Sequence, residues 1–150
     1  SQLKGNENIG APRLSGLPQW YIERQLQNFK LGLRGAHADD STGGEMKAMV
    51  ANLSEKELNN IAAWVTQTQS HIPETSIEAN ADGQGNQLMG APGLVGLNDW
   101  YLVTQLNHFR LGIRGTATAD VYGQQMKAAS SMLSSEQDAA NVAAYISQLK

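Results

Sequence analysis

Two stretches of the chain, 80 residues apart, carry the same stripe of apolar side chains. The first stripe has apolar residues at spacings of four, three and four positions: Ile22, Leu26, Phe29 and Leu33. The second stripe has the same spacings: Leu102, Leu106, Phe109 and Ile113. Such spacing places the apolar residues on one face of an α-helix. The pattern predicts a helix over 20–33 and an equivalent helix in the second stretch.

Later in each stretch, another apolar stripe follows a helix-start signal. Ser54 and Glu57 form a capping box, in which the serine hydroxyl accepts a backbone N–H and the glutamate reaches back. In the second stretch, Ser134 or Ser135 can cap the helix. The apolar positions that follow are Leu58, Ile61, Ala62 and Val65, and then Val142, Ala143, Ile146 and Leu149. Four further helices are predicted, over 44–52, 54–67, 124–132 and 135–149.

The two stretches are copies of one tandem repeat. Residues 10–35 align with 90–115 without a gap, and the same offset holds through Met46 and Met126. About half of the positions from 5 to 53 are identical to their mates, which chance does not produce. A long repeat in only two copies predicts two small domains or one pseudo-symmetric domain, not a solenoid. The predicted boundaries are 1–69 for the first repeat, 70–82 for a polar linker and 83–150 for the second repeat.

Composition narrows the possible partners and cofactors. The 150 residues carry 11 Lys or Arg and 14 Asp or Glu, and the net charge of −3 comes without a basic cluster, so nucleic acid is not expected as a partner. No apolar run approaches the roughly 20 residues that cross a bilayer, which predicts no membrane span. The sequence contains no cysteine, so disulfides, thiolate metal sites and thioether-linked cofactors are excluded.

The repeated motifs resemble those of a known family. Each repeat contains GAP, WY, QL, F, RG and a later Met in the same order and at the same spacing, and each closes on a helix with an Ala-Ala pair. This string is similar to that of class I c-type cytochromes of the diheme cytochrome c4 and cytochrome c553 type. The resemblance implies an all-α fold of two cytochrome c-like helical repeats, packed with pseudo-twofold symmetry. It also implies that Met46 and Met126 stand at the position of an axial heme ligand.

The chain departs from that family where heme is attached. The family binds heme covalently through a Cys-x-x-Cys-His segment that follows an N-terminal helix, but neither repeat contains such a segment. The residues before the Gly-x-Gly-Asn turn of the second repeat include neither Cys nor His: Thr75, Ser76, Ile77, Glu78 and Ala79. Both repeats are therefore expected to lack the N-terminal helix, and no cofactor is expected. The alternative is heme held without covalent bonds by Met46 and Met126.

No residues combine into a recognisable catalytic or metal centre. The sequence has no G-x-S-x-G, H-E-x-x-H, phosphate-binding or dinucleotide-binding motif in a suitable context, so we predict no enzyme activity. None of the three histidines has a histidine at the equivalent position of the other repeat: His37, His71 and His108. A solvated loop position is favoured for His37 over a pairing with Met46. His71 lies in the linker with Glu74 and Glu78, but no metal site is predicted there.

Repeated aromatic and arginine residues are the candidate interaction residues. The aromatic pairs open the first helix of each repeat: Trp20 and Tyr21, Trp100 and Tyr101. Their rings suit core packing with hydrogen-bonded polar ends, and the alternative is a platform for a partner. Arg34 and Arg114 precede a glycine at the same point of each repeat. They either anchor the loop by bonding helix C-terminal carbonyls or, as the family resemblance suggests, face the heme propionates.

The residues and the resemblance together predict a heme-free structural or interaction subunit. Its expected setting, taken from the resemblance, is a bacterial periplasmic or respiratory electron-transfer assembly with a protein partner. The alternative function is electron transfer or heme binding through noncovalent heme. Without heme and one helix, apolar faces need cover, because burial is worth about 25 cal/mol per Å². We therefore expect helices 54–67 and 135–149 to pack on each other or on the opposite Trp-Tyr helix, and leftover apolar surface would favour a homodimer.

Overall fold

The computed structural model describes residues 3–68 and 83–149, and the predicted linker at 70–82 lies outside them. Within these two ranges the structure is helical, with two isolated backbone bridges and no strand. Six α-helices follow one another: α1 (Gln19–Lys30), α2 (Ser41–Val50), α3 (Glu55–Gln67), α4 (Asp99–Arg110), α5 (Val121–Ser130) and α6 (Glu136–Ser147). None of the helices described here is long and apolar enough to cross a bilayer. The predicted all-α fold with two similar sets of helices is confirmed.

Each repeat packs its helices around its own first helix. α1 contacts α2 and α3, and α4 contacts α5 and α6 in the same way. The predicted packing of 54–67 and 135–149 on each other or on the opposite Trp-Tyr helix is therefore wrong. Helices α3 and α6, the last helix of each repeat, bury their apolar faces against the first helix of their own repeat. Small residues allow this close packing, and Ala62 and Ala143 are almost fully buried there.

Two apolar clusters fill the spaces between these helices. The first contains Leu17, Ile22, Leu26, Phe29, Val50, Leu58, Ala62 and Val65. The second is smaller and contains Leu102, Ala143 and Ile146. Leu97 packs against both clusters and so links the apolar interiors of the two repeats. The stripe predicted for the first helix is confirmed at Ile22, Leu26 and Phe29, which are all buried.

Several helices begin or end at other residues than the apolar pattern suggests. α1 ends at Lys30 and not at Leu33, because Gly32 has a φ of 69° that an α-helix does not accommodate. α2 and α5 begin earlier than predicted, since Asp40 and Asp120 cap them. Each carboxylate accepts the N–H of a glycine three residues later at 2.9 Å.

Capping boxes start both closing helices. In the first repeat, Ser54 donates its backbone N–H to Glu57 at 2.7 Å, and its hydroxyl accepts the Glu57 N–H at 3.3 Å. The Ser54 backbone N–H and the Ser54 hydroxyl, which also donates to the Glu57 carboxylate at 2.7 Å, lower the pKa of Glu57. In the second repeat, Ser135 is the cap and Asp138 takes the place of the glutamate. The predicted start of the first closing helix is confirmed, and of the two candidate caps in the second repeat the structure uses Ser135.

Gly35 and Gly115 let the loop after the first helix of each repeat approach the next helix closely. Gly35 has a φ of 72°, and a side-chain carbon there would lie 2.1 Å from the carbonyl oxygen of Gly43. At Gly115 such a carbon would lie 2.2 Å from the carbonyl oxygen of Gly123. Only glycine fits this turn, so the arginine that precedes each glycine is held at a fixed point beside the other repeat.

Leu58→Ala is expected to lower the free energy of unfolding by about 2–5 kcal/mol, because the fully buried side chain leaves a cavity in the first cluster. Denaturant unfolding followed by circular dichroism measures the change. Asn59→Ala, at an exposed position of the same helix, is the control and should change the value by less than about 0.5 kcal/mol. Equal losses in the two variants would contradict this placement of the core.

Candidate functional site

A closed ring of hydrogen bonds joins the two repeats at their junction. It contains two arginines and two glutamines at equivalent positions: Arg34 and Arg114, Gln25 and Gln105. The side-chain oxygen of Gln25 accepts from Arg34 Nη1 at 2.9 Å and from Arg114 Nη2 at 2.8 Å. The side-chain oxygen of Gln105 accepts from Arg114 Nη1 at 2.6 Å and from Arg34 Nη2 at 3.3 Å. Each glutamine therefore bridges both guanidinium groups.

Tyrosine hydroxyls and phenylalanine rings complete the surroundings of this ring. The Tyr101 hydroxyl accepts from Arg34 Nη2 at 2.9 Å, and the equivalent Tyr21 lies near enough to Arg114 to raise its pKa, although burial and the charge of Arg34 lower that pKa more. The Arg34 guanidinium carbon lies 4.5 Å from the centre of the Phe29 ring, within the range of a cation–π interaction. The Arg114 group lies 4.6 Å from the equivalent phenylalanine ring. The central part of the junction thus follows the pseudo-twofold relation of the repeats.

The partners of the two arginines differ from one expectation of the sequence. Loop anchoring through helix C-terminal carbonyls was one of the two expected roles, but both guanidinium groups donate to side chains, including side chains of the opposite repeat. The physical reason is burial between the repeats, which brings glutamine and tyrosine oxygens within reach. Arg114, for example, is only 8% exposed.

The four candidate aromatic residues lie around the ring in pairs. Trp20 contacts Tyr21 edge-on with ring centres 5.8 Å apart, and Trp100 contacts Tyr101 in the same way at 5.9 Å. All four side chains are partly buried. Because Tyr101 bonds to Arg34 and Tyr21 lies near Arg114, each tyrosine beside an arginine of the opposite repeat, each pair belongs to the junction.

The ring holds two positive charges among neutral acceptors. Burial and the charge of Arg34 lower the pKa of Arg114. Burial alone would lower the pKa of Arg34. The nearby Tyr101, Tyr21 and Asp40 side chains favour its charged form more strongly, so the pKa of Arg34 is raised. Burial would raise the pKa of Tyr101, but the two arginines outweigh it and lower that pKa. The Nε atoms of both arginines are buried without a hydrogen-bond partner, so part of the cost of burying the charges stays uncompensated.

Arg13 joins the repeats beside the ring without a symmetric mate. Its backbone N–H donates to Asn98 Oδ1 at 2.8 Å, and its Nη1 donates to the Gly96 carbonyl at 2.8 Å. Asn98 occupies the N-cap position of α4, but its side chain serves this contact between the repeats and does not cap the helix. The position equivalent to Arg13 is Gly93, which has no side chain for a reciprocal contact.

Arg24 makes a second contact that lacks a symmetric mate. Its Nη2 donates to the Gly90 carbonyl at 2.7 Å. Its guanidinium carbon lies 4.7 Å from the centre of the Trp20 ring and 4.3 Å from the centre of the Tyr122 ring. The charge is therefore held between an aromatic ring of α1 and one of α5. The equivalent position in the second repeat is the uncharged Thr104.

His108 faces Asp40 across the junction. Its Nδ1 lies 3.9 Å from Asp40 Oδ1, both side chains are largely buried, and this Nδ1 has no hydrogen-bond partner. Burial lowers the pKa of His108 more than the charge of Asp40 raises it, and the charges of Arg34, Arg114 and His37 lower it further. The imidazole is therefore neutral near pH 7.

Met46 and Met126, the implied axial ligands, occupy different surroundings. Met46 is partly buried against the first apolar cluster, whereas Met126 is 42% exposed on α5. His37 lies in the loop before α2, where its Nδ1 accepts the Asp39 N–H at 3.2 Å. With no cysteine in the sequence and both described histidines beside aspartates, the residues present do not fit a c-type heme.

Metal-ligating side chains do not gather in the described part of the chain. Within 3–68 and 83–149, no three His, Asp or Glu residues lie together in a way that could hold a metal ion. The linker residues His71, Glu74 and Glu78 lie outside the described residues.

Gln25 and Gln105 are two junction residues that the sequence analysis did not single out. The sequence pattern that pointed to them is the Gln-Leu dipeptide, which occurs at the same position of the first helix in both repeats. Arg13 and Arg24 gave no such signal because the second repeat has no arginine at either equivalent position.

The sequence is similar to a known cytochrome. It is 27% identical to cytochrome c4 of Azotobacter vinelandii over 165 aligned positions, which cover 92% of this chain and 76% of that protein. Because the alignment is longer than the 150 residues of this chain, the relative has residues with no counterpart here. No family model matches the chain.

Solved structures of cytochrome c4 have the same fold. Cytochrome c4 from Acidithiobacillus ferrooxidans superimposes with a TM-score of 0.65 at 23% identity, covering 92% of this chain and 89% of that one. Reduced cytochrome c4 from Pseudomonas stutzeri gives 0.67 at 26% identity, covering 95% and 86%. Thiosulfate dehydrogenase TsdBA from Marichromatium purpuratum gives 0.66 at 20% identity, but this chain spans only 34% of that chain. The resemblance to the diheme cytochrome c4 type is confirmed, and the heme-attachment cysteines are absent.

Gln25→Leu is expected to lower the free energy of unfolding by about 1–3 kcal/mol, because it leaves buried N–H groups of both arginines without an acceptor. Denaturant unfolding measures the loss, and Gln19→Leu at an exposed position of α1 is the control. Gln105→Leu should have a similar effect. The double variant should lose less than the sum, since both residues act on one ring. Additive losses would show that the two glutamines act separately.

His108→Asn, which installs the residue of the equivalent position Asn28, is expected to reduce the pH dependence of stability. The pKa of His108 is lowered in the folded chain, so below its ordinary value of 6.5 the unfolded chain binds more protons. The contribution of neutral His108 is thus complete above about pH 6.5 and is lost as the pH falls. Unfolding free energies at pH 5 and pH 7.5 should differ less in the variant than in the wild type. An equal difference in both proteins would contradict this role.

Proposed function

We propose, from the premise of a cytochrome c-like fold similar to that of diheme cytochrome c4, that this chain is a heme-free component of a bacterial periplasmic or respiratory electron-transfer assembly. It binds a protein partner and does not itself carry electrons through heme. The observation that carries the proposal is a chain that keeps both sets of cytochrome c-like helices while containing no cysteine.

The junction between the repeats supports a structural role. Arg34 and Arg114, with their tyrosine and glutamine partners, hold the repeats together through side chains alone. In this proposal, Trp20 and Trp100 pack against these tyrosines as part of the scaffold. The proposed organisation is a first repeat at 1–69, a linker at 70–82 and a second repeat at 83–150.

The proposed setting comes from the relatives. The structure of cytochrome c4 from Acidithiobacillus ferrooxidans is described as supporting a complex-induced tuning of electron transfer, so a protein with this fold acts within a complex. A chain that kept this fold without the cofactor would retain the surface for such contacts. We extend the periplasmic location and the redox partner class to this chain on that basis.

Noncovalent heme is the second candidate function, and the methionines favour it. Met46 and Met126 stand at the same point of α2 and α5, and a thioether is a suitable axial ligand for heme iron. The exposure of Met126 and the packing of Met46 against the first apolar cluster weigh against it.

The absorption spectrum of the chain purified from its native host tests the first proposal against the second. We expect no Soret band and no pyridine hemochrome, because no cysteine can retain heme. A Soret band that disappears in Met46→Ala/Met126→Ala would support noncovalent heme and overturn the first proposal. Met49→Ala/Met132→Ala is the matched control, since both of these methionines are exposed.

Partner binding is tested on the same preparation. The tagged full chain, recovered from host cells under mild conditions, is expected to copurify with a redox protein at a fixed ratio by light scattering and mass spectrometry. Recovery of the chain alone at every salt concentration would contradict the proposed role.

A further inference from the structure

An imidazole lies at the junction of the repeats, at a point where the other repeat has an amide. His108 of α4 faces Asp40, the N-cap of α2, and its Nδ1 lies 3.9 Å from Asp40 Oδ1. At the equivalent positions stand Asn28 on α1 and Asp120, the N-cap of α5. An asparagine carries no charge at any pH, so of these two matched positions only that of His108 can gain a positive charge.

The surroundings of His108 do not accommodate a proton on Nδ1. The side chains of His108 and Asp40 are only 14% and 6% exposed, and Nδ1 has no hydrogen-bond partner. The separation of 3.9 Å from Asp40 Oδ1 is too long for a hydrogen bond, and that oxygen already accepts the Gly43 N–H at 2.9 Å. A proton on Nδ1 would therefore be buried without an acceptor, which is costly.

Four charged or titratable side chains act on His108, three from the first repeat and one from its own. Asp40 favours a positive charge there, whereas Arg34, Arg114 and His37 oppose it. The two arginines already place two positive charges in the hydrogen-bonded ring, and a third charge nearby would repel both. Burial is the largest cause that lowers the pKa of His108, and the repelling charges lower it further.

Separation of the repeats would hydrate this charge without unfolding either of them. Within 3–68 and 83–149 the extensive helix packing lies inside each repeat, and each repeat has its own apolar cluster. The repeats are joined by polar contacts, namely the hydrogen-bonded ring and the bonds of Arg13 and Arg24, and by Leu97, which packs against both clusters. A movement at the junction would bring His108 into water and leave the interior of each repeat closed.

We propose that the junction is a pH-sensitive hinge: when His108 binds a proton, the two repeats move apart while each keeps its own helices. In the open form His108 is hydrated and has its ordinary pKa of 6.5, whereas its pKa in the closed form is lower. The closed form is therefore fully favoured above about pH 6.5 and loses stability as the pH falls. The ratio of open to closed chains rises by at most about 10-fold for each pH unit below that value. The hinge belongs to the chain itself and does not depend on the proposed partner.

Distances between two spin labels test the hinge in the full chain. Because the sequence has no cysteine, Asn60→Cys and Asn141→Cys place one label on α3 and one on α6, at equivalent exposed positions. Double electron–electron resonance gives the distribution of distances at pH 7.5 and pH 5, and circular dichroism follows the helix content. We expect the fraction of long distances to rise about 3- to 30-fold at pH 5 and to fall again at pH 7.5, with the helix content unchanged.

Two histidine variants of the labelled chain identify the group that responds. His108→Asn, which installs the residue of the equivalent position, should keep the short distances at both pH values. His37→Asn, the matched control, removes an exposed imidazole of the first repeat and should retain most of the change. Unchanged distances in the labelled parent chain, or a change of the same size in His108→Asn, would overturn the hinge. Loss of the change in His37→Asn, or a fall in helix content that accompanies it in the parent chain, would overturn it as well.

Discussion

Two guanidinium charges, buried where the repeats meet, are the constraint on which the structure depends. Like charges repel strongly in a medium of low dielectric constant, so Arg34 and Arg114 can share this space only if oxygen atoms surround them. Gln25 and Gln105 supply oxygens that both groups share, and the Tyr101 hydroxyl of the opposite repeat supplies another to Arg34. Each repeat thus brings one charge and the means to hold the charge of the other.

The precision of this arrangement comes from the backbone. A planar guanidinium group requires acceptors in its own plane, and a small displacement would break several hydrogen bonds at once. The glycine turn after each arginine and the aspartate cap of the next helix fix that position, because Gly35 touches the first turn of α2 and Asp40 binds the N–H of Gly43. Loop, cap and charge therefore depend on one another, which explains why RG, Asp and Gly recur at the same spacing in both repeats.

The sequence was most informative where the signal is local. The stripe of Ile22, Leu26 and Phe29 and the capping box at Ser54 act within a few residues, and the structure confirms both. A stripe shows that a face is apolar without showing which neighbour covers it, so the packing of α3 and α6 was wrongly predicted. The hydrogen-bonded ring of arginines and glutamines was not predicted, for a related reason. Gln25 and its partner Arg114 are 89 positions apart, and no local sequence pattern indicates such a contact.

The contacts of Arg13 and Arg24 have a consequence for the history of the duplication. Both donors lie in the first repeat, and their acceptors and ring partners include Asn98, Gly90 and Tyr122 of the second. Two first repeats would keep the glycine carbonyls but would lack Asn98 and Tyr122, since the equivalent residues are Pro18 and Thr42, and two second repeats would have the acceptors without the arginine donors. The halves began as duplicates and have become complementary, so neither can now substitute for its sister.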